Sequence, residues 1–359
     1  TTAASLTFGA NNGDITFWGD ADVNGAGRIA FANTNTISTG GGNLTIAGGA
    51  DDGSSQVAAG RTAADGYPDG WAAGNGSTSN CTAAAGTLQG VFLSNTTTIT
   101  TSNGDVFIAG KGMSGATGNC ASGVISNQDL WITSGTGKIA IYGSANAAAG
   151  STYSNGIQFY GNTSRKTIIT SSSSAADSIV ISGNAGPTAS IRSSGVFFHG
   201  QTAGANVNNI VANTGTGGIS ITGRSVPTTV ETLADNVGDG LEMYGLAVLA
   251  KSGPIVLTGA TGAGNTTNRY GCTFDHSTAA SLTPSQSSFG ARAATTVNSV
   301  DMSSSTSDIT LNCDSLVNGN TTQTKQFLTT GKVVIQPADS AQSFDRDIDI
   351  NGITFGSGV

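Results

Sequence analysis

A short pattern of alternating apolar and polar residues recurs along the whole chain. In each copy a glycine or polar residue precedes alternating apolar positions, and a second glycine usually closes the segment. Alternation with a period of two is typical of a β-strand with one buried face, and the flanking glycines are typical of turns. The copies are GDITFWG from Gly13, GNLTIAG from Gly42, GDVFIAG from Gly104, GKIAIYG from Gly137, DSIVISG from Asp177, GGISITG from Gly217, GPIVLTG from Gly253, SDITLNC from Ser307 and GKVVIQP from Gly331. The pattern therefore predicts a family of equivalent short strands.

Two further short strands precede most copies, as in GVFLSNTTTITTSNGDVFIAG from Gly90. Three strands and three corners make one coil of a three-faced parallel β-helix, in which stacked coils bury one apolar column. The predicted coils start at Gly27, Gly90, Gly123, Gly156, Gly195, Gly240 and Gly271. We predict an all-β, three-faced parallel β-helix that forms a single domain over residues 1–359. Right-handed winding is expected because parallel crossovers are almost always right-handed.

The corners of this solenoid differ in length. We expect Gly and Asn there to adopt left-handed backbone conformations, and stacked Thr, Ser and Asn to form ladders between coils. The predicted insertions lie at one corner, between the third strand of one coil and the first strand of the next, and cover about 49–89, 111–122, 144–155, 224–239 and 260–270. Such a ridge is a candidate partner surface. An antiparallel sandwich or a propeller is the alternative, but the uneven spacing of the coils favours a solenoid.

Composition narrows the classes of partner. The 359 residues include 53 glycines, only 14 Lys plus Arg, and a net charge of −8. Nucleic-acid binding needs clustered cations, and here they are scattered, so we expect no nucleic-acid partner. No apolar run approaches the roughly 18 residues of a membrane helix, so we expect no membrane span.

Four cysteines fit the predicted coils. Cys81 and Cys120 lie in insertions at the same corner of neighbouring coils, whereas Cys272 begins and Cys313 ends the strands of one coil. We predict the pairs Cys81 to Cys120 and Cys272 to Cys313, one of three possible connectivities. Two disulfides would indicate an oxidising, extracellular location. The alternative is four free thiols in a reducing compartment.

Carboxylates are the candidates for chemistry, and we predict no catalytic residue and no cofactor among them. Asp51 and Asp52 lie in the longest insertion, and a looser group contains Glu231, Asp235, Asp239 and Glu242. For all of them we expect a structural or solvated role. The segment DIDING matches the opening of a calcium loop, which makes Asp347, Asp349 and Asn351 a candidate metal site, although Gly358 stands where the loop needs a bidentate Glu. His199 and His276 are expected to be polar corner residues.

The recurrent glycine-bounded strand, the Thr-, Ser- and Asn-rich corners, the low charge and the long insertions resemble the filamentous haemagglutinin-like exoproteins of bacterial two-partner secretion and related autotransporter passengers. The resemblance covers nearly the whole chain. It implies a right-handed β-helix at the cell surface that serves as an adhesin, a filament or a stalk. The chain departs from that family because it has no Asn-Pro dipeptide, so the NPNL and NPNG motifs of the secretion domain are absent, and because it has four cysteines.

Both ends of the sequence carry strand patterns with no amphipathic helix to cap them. An uncapped β-helix exposes unpaired backbone groups that can pair with another chain. We therefore expect a non-enzymatic extracellular structural protein that associates end to end, as a surface filament, stalk or adhesin module. The alternative interpretation of the ends is that the segment belongs to a longer β-helix.

A carbohydrate-active or carbohydrate-binding β-helix is the competing hypothesis. Tyr67 and Trp71 lie in GYPDGW within the longest insertion, where they could stack on the sugar rings of a host or cell-surface glycan. The other interpretation is that these aromatic residues cover the edge of the core.

Overall fold

The computed structural model describes the chain in segments that contain the start of every predicted coil. These are residues 6–9, 11–53, 57, 63–76, 87–146, 153–160, 165–186, 193–200, 207–225, 238–261, 270–274, 286–292, 300–319, 324–338 and 348–356. The described residues form 28 β-strands and no helix. They therefore contain no helix that could cross a membrane.

The strands belong to three parallel sheets, one for each face of the solenoid. Sheet 1 holds the first strand of each coil and contains β3 (Ile29–Phe31), β7 (Val91–Leu93), β10 (Val124–Ser126), β13 (Ile157–Tyr160), β16 (Val196–His199), β19 (Leu241–Met243), β22 (Cys272–Phe274) and β25 (Leu316–Asn318). Each strand pairs with the equivalent strand of the next coil.

Sheet 2 holds the second strands: β1 (Leu6–Gly9), β4 (Asn35–Ser38), β8 (Thr97–Thr100), β11 (Leu130–Thr133), β14 (Thr167–Ser171), β17 (Asn209–Asn213), β20 (Leu246–Ala250), β23 (Ser287–Gly290), β26 (Lys325–Leu328) and β28 (Ile353–Gly356). Sheet 3 holds the recurrent third strands: β2 (Ile15–Gly19), β5 (Leu44–Gly48), β9 (Val106–Lys111), β12 (Ile139–Ser144), β15 (Ile179–Asn184), β18 (Ile219–Ser225), β21 (Ile255–Thr261), β24 (Ile309–Cys313) and β27 (Val333–Gln336). A short strand in the longest insertion, β6 (Ala72–Ala73), pairs with the end of β9. The predicted three-faced parallel β-helix is confirmed.

The core is a column of aliphatic side chains stacked in register. Ile141 pairs with Ile108 on one side and Ile181 on the other, and the row continues through Ile221 to Leu257. All five are essentially inaccessible to solvent. Each buried side chain of this size contributes about 1.5–3 kcal/mol relative to an exposed one, so every coil stabilises its two neighbours.

The repeat glycines serve a purpose different from the one expected. A Cβ on Gly143 would lie 2.1 Å from the carbonyl oxygen of Gly156, and a Cβ on Gly104 would lie 1.9 Å from that of Gly42. None of these four glycines has a positive φ. The glycines that bound most third strands are therefore required because backbones of adjacent segments touch there. The left-handed conformations expected of Gly and Asn occur at other corner positions, such as Asn12 with φ 62° and Gly135 with φ 60°.

Polar ladders follow the corner between sheets 2 and 3, but their hydrogen bonds go to the backbone. The Ser134 hydroxyl donates to the carbonyl oxygen of Gly137 at 2.7 Å, and the Ser171 hydroxyl of the next coil donates to the same oxygen at 2.8 Å. The Asn213 amide donates to the carbonyl oxygen of Gly217 at 2.6 Å. These bonds satisfy carbonyl groups that would otherwise be buried without a donor.

The five predicted insertions lie between strands of sheets 3 and 1, as expected, but 185–195 is a further long connection there, and insertions are not confined to this corner. Two further long connections occupy other corners: 275–286 joins β22 to β23, and 291–308 joins β23 to β24. The strand β25 was not among the predicted coil starts, because no glycine precedes it and Asp314 and Ser315 stand there instead.

Candidate functional site

A shallow groove crosses the outer face of sheet 3 near the N-terminal end of the solenoid. Side chains alternate along each strand, so in β9 Val106 and Ile108 enter the core while Phe107 faces outward. The groove has a volume of about 230 Å³ and is lined by Asn43, Leu44, Thr45, Tyr67, Asp105, Val106, Phe107, Lys138 and Ala140. It is the candidate binding site.

Tyr67 reaches the groove from the longest insertion. Its backbone N–H donates to Asp65 Oδ1 at 3.0 Å, and its hydroxyl donates to the Asp14 carboxylate at the corner before β2. Two hydrogen bonds therefore hold the ring over the sheet. Of the two aromatic residues singled out from the sequence, the structure places Tyr67 in the groove, whereas Trp71 is half-buried and outside the lining.

Further aromatic side chains lie beside the groove on the same face. The rings of Phe107 and Tyr142 are 5.8 Å apart between centroids. Trp18 is 40% exposed, and its indole N–H donates to the Gly49 carbonyl oxygen at 2.8 Å. Phe107 was not among the residues predicted from the sequence, although the alternation of the third-strand repeat places it on the outward face.

Charged and amide side chains form a row along one rim of the groove, immediately before each third strand. Asn43 Oδ1 accepts from the Asp105 backbone N–H at 2.8 Å, and Asp105 Oδ1 accepts from the Lys138 backbone N–H at 2.7 Å. Lys138 Nζ lies 2.8 Å from Asp177 Oδ1. This hydrogen bond raises the pKa of Lys138 and lowers the pKa of Asp177. Both side chains are well exposed, so the pair contributes little to stability, but it leaves an ordered row of donors and acceptors beside the aromatic rings.

Three carboxylates of the longest insertion meet at its base. One oxygen from each of Asp51, Asp65 and Asp69 lies within 4.8 Å of the others. Asp51 accepts from the backbone N–H groups of Asp65 and Gly66, at 3.1 and 2.8 Å. Asp51 was noted in the sequence, but the grouping was missed because its partners lie more than ten residues away along the chain.

Other carboxylates considered in the sequence are bound within the solenoid wall. Glu242 Oε2 accepts from the Ser194 hydroxyl at 2.7 Å, and Asp239 Oδ1 accepts from the Tyr270 backbone N–H at 2.8 Å. Both are buried, which agrees with a structural role, and Glu231 and Asp235 lie outside the described residues.

The candidate calcium loop near the C-terminus is described only in part. Asp349 Oδ1 accepts from the backbone N–H of Asn351 at 2.9 Å, whereas Asp347 lies outside the described residues. His199 is buried and stacks on Tyr160 with 4.2 Å between ring centroids, and His276 also lies outside the described part of the chain.

The bonding state of the cysteines is relevant to whether the protein resides in an oxidising or a reducing compartment. Cys272 and Cys313 form a disulfide with 5.5 Å between their Cα atoms, which joins the start of β22 to the end of β24 in the same coil. Cys120 is also disulfide-bonded, and Cys81, its predicted partner, lies outside the described residues.

Comparison of the chain with known protein families, curated proteins and solved structures found no match. The site must therefore be interpreted from its own geometry.

Proposed function

We propose that the protein is a non-enzymatic extracellular structural protein: a surface filament, stalk or adhesin module built as a rigid β-helix. The observation that carries the proposal is the continuous register of the three sheets, in which ten successive second strands pair in order from β1 to β28. Such stacking gives a stiff rod whose length grows with the number of coils. A disulfide within one coil is consistent with an oxidising location.

End-to-end association is part of this proposal, and the described terminal strands support it. In the described chain, each of the terminal strands β1, β2, β27 and β28 pairs with only one neighbouring strand. At the C-terminal end Phe355 is 48% exposed, although it aligns with the fully buried Phe327 of the neighbouring strand β26. Edge strands with apolar side chains are templates for a further strand, so in this proposal a second copy continues sheets 2 and 3.

Analytical ultracentrifugation combined with electron microscopy tests this proposal. The intact chain should form concentration-dependent species larger than a monomer, visible as rods longer than one subunit. Phe355→Lys should weaken association about tenfold or more, because a buried unpaired charge at the junction is costly. Tyr153→Lys, a change at an exposed side chain of a central insertion, should leave association unchanged. A monomer at all accessible concentrations would contradict the proposal.

The groove favours carbohydrate binding as a second candidate function. Its aromatic rings, Tyr67 and Phe107, offer apolar faces, and Asp105, Lys138 and Asn43 offer hydrogen-bonding groups along one rim. Sugars present the same combination of apolar ring faces and hydroxyl groups, and aromatic side chains can stack on those faces. A surface rod with such a groove would act as an adhesin towards a host or cell-surface glycan.

A glycan array followed by calorimetry with the best-bound glycan tests this second candidate. Tyr67→Ala should weaken binding about tenfold, or about 1.4 kcal/mol, because it removes one stacking face. Tyr153→Ala removes an exposed tyrosine outside the groove and should have no effect. A reducing-end assay on bound polysaccharide should show no cleavage, and release of reducing ends would favour the carbohydrate-active alternative.

A further inference from the structure

The three carboxylates at the base of the longest insertion have the spacing of ligands to one ion. Asp51 lies at the start of the insertion, and Asp65 and Asp69 lie on its return to β6. Their oxygens lie within 4.8 Å of one another, which is about the separation of two oxygens on opposite sides of a calcium ion at roughly 2.4 Å. One cation near the centre can therefore contact all three.

Asp69 provides an independent observation that points to a ligand. Its side chain is 1% exposed, and Oδ2 accepts from the Gly53 backbone N–H at 2.6 Å. Oδ1 is also buried but has no hydrogen-bond donor. A buried carboxylate oxygen without a donor or a cation is strongly unfavourable. A bound cation would satisfy it.

The surrounding backbone fixes the direction of these carboxylates. The N–H groups of Asp65 and Gly66 hold Asp51, the N–H of Gly53 holds Asp69, and the N–H of Tyr67 holds Asp65. Hydrogen bonds of this kind orient metal ligands before the ion arrives. The described residues of the loop thus hold the three carboxylates in place, and their oxygens form a preorganised site.

We propose that Asp51, Asp65 and Asp69 bind one Ca²⁺, which ties the start of the insertion to the segment that leads into β6. The ligands are oxygens only, which suits a hard cation, and Ca²⁺ accepts irregular geometry with water completing the shell. Mg²⁺ requires a near-ideal octahedron at about 2.0–2.1 Å and loses its water reluctantly, so a loop site of irregular geometry suits it less well. Affinity in the range of extracellular calcium modules is expected, with Kd about 10⁻⁴–10⁻³ M. The site does not depend on carbohydrate binding, although the ion would also steady Tyr67.

Isothermal titration calorimetry and thermal unfolding of the intact chain, first freed of metal with a chelator, test the proposal. CaCl₂ should give one binding event and raise Tm, and MgCl₂ should give a much weaker response. Asp69→Asn keeps the shape of the side chain and removes its charge, and should weaken Ca²⁺ binding about tenfold or more. Asp65→Asn changes an exposed ligand, so we expect the fold to tolerate it, and it should weaken binding as well. Asp22→Asn, at an exposed carboxylate in another turn, is the matched control and should bind as the parent does.

Terbium luminescence supplies a second readout that does not depend on heat. Tb³⁺ in the site should emit when Tyr67 is excited, because that residue lies between two of the ligands in the sequence, and added Ca²⁺ should quench the emission by displacement. If Asp69→Asn fails to fold, the Ca²⁺ affinity of Asp65→Asn tests the proposal. No heat and no rise in Tm at about 10 mM Ca²⁺, an equal response to Mg²⁺, or unchanged affinity in both Asp69→Asn and Asp65→Asn would overturn the proposal.

Discussion

At the scale of single residues, the repeat glycines show how sequence and geometry are connected. The alternation of the third strand identifies which side chains enter the core, and it predicted the strands. The sequence of one coil does not reveal why a glycine closes the third strand. The atom that a Cβ at this position would contact belongs to the corner that follows. Gly143 approaches Gly156, and Gly183 approaches Gly195, each with 2.1 Å between the added Cβ and the carbonyl oxygen.

Gly143→Ala should destabilise the protein strongly. The new methyl group would overlap the carbonyl oxygen of Gly156 at 2.1 Å, and two segments of backbone would have to separate. Overpacking of this kind typically costs about 1–3 kcal/mol, and we expect the upper end because both partners are backbone. Urea unfolding followed by circular dichroism measures the change in the free energy of unfolding.

Gly9→Ala is the matched control for this substitution. Gly9 also closes a strand, but its added Cβ would meet nothing within 4 Å, and no positive φ is required there. We expect a change within about 0.5 kcal/mol. Equal destabilisation by the two substitutions would show that glycine flexibility, and not close backbone approach, explains the repeat.

At the scale of strands and corners, the strands could be predicted because their pattern is local in sequence. The groove and the carboxylate cluster could not, because their residues are distant from one another in sequence. The nine third strands follow from alternation alone. Strand β25 was missed because Ser315 replaces the usual glycine before it. The groove was missed in part because Tyr67 and Phe107 are forty residues apart in sequence, and the insertion that brings them together has no repeat to reveal its path. The grouping of Asp51 with Asp69 was missed for the same reason, because the two residues are distant in sequence.

The Cys272–Cys313 disulfide takes the place of a glycine contact at one corner. Cys313 aligns with Gly259 of the preceding coil, and a Cβ on Gly259 would lie 2.6 Å from Cys272 Sγ. The crosslink spans 41 residues of sequence, so it removes considerable freedom from the unfolded chain. It therefore fastens the coil whose other connections are the long segments 275–286 and 291–308.

Replacing both cysteines, as Cys272→Ala with Cys313→Ala, should lower the free energy of unfolding by about 2–4 kcal/mol, the range usual for a loop of this length. Differential scanning calorimetry of the two proteins under identical conditions measures the loss. The double substitution avoids leaving a free thiol. Peptide mapping without reduction provides the control, since recovery of Cys272 crosslinked to Cys81 would contradict both the pairing and the register.

At the scale of the whole molecule, stability is shared between neighbours. Each strand of a central coil pairs on both sides, as β15 does with β12 and β18, whereas β27 pairs with β24 alone in the described chain. Low charge suits this arrangement, because equivalent positions of adjacent coils lie about 4.8 Å apart and like charges would repel. The free energy of local opening should consequently be highest in the centre of the rod.

Hydrogen exchange with mass spectrometry measures how the free energy of local opening varies along the rod. Two Ile→Ala substitutions, one central and one near the end, test the variation. Ile181→Ala removes a fully buried side chain between two coils, and Ile335→Ala removes a partly buried one in the last third strand. Ile181→Ala should cost about 2–5 kcal/mol and accelerate exchange in the coils on both sides, because both lose a packing partner. Ile335→Ala should cost less and accelerate exchange mainly in β24 and β27. If Ile335→Ala instead raised exchange uniformly along all three sheets, the rod would unfold as one cooperative unit, and the nearest-neighbour account of its stability would be wrong.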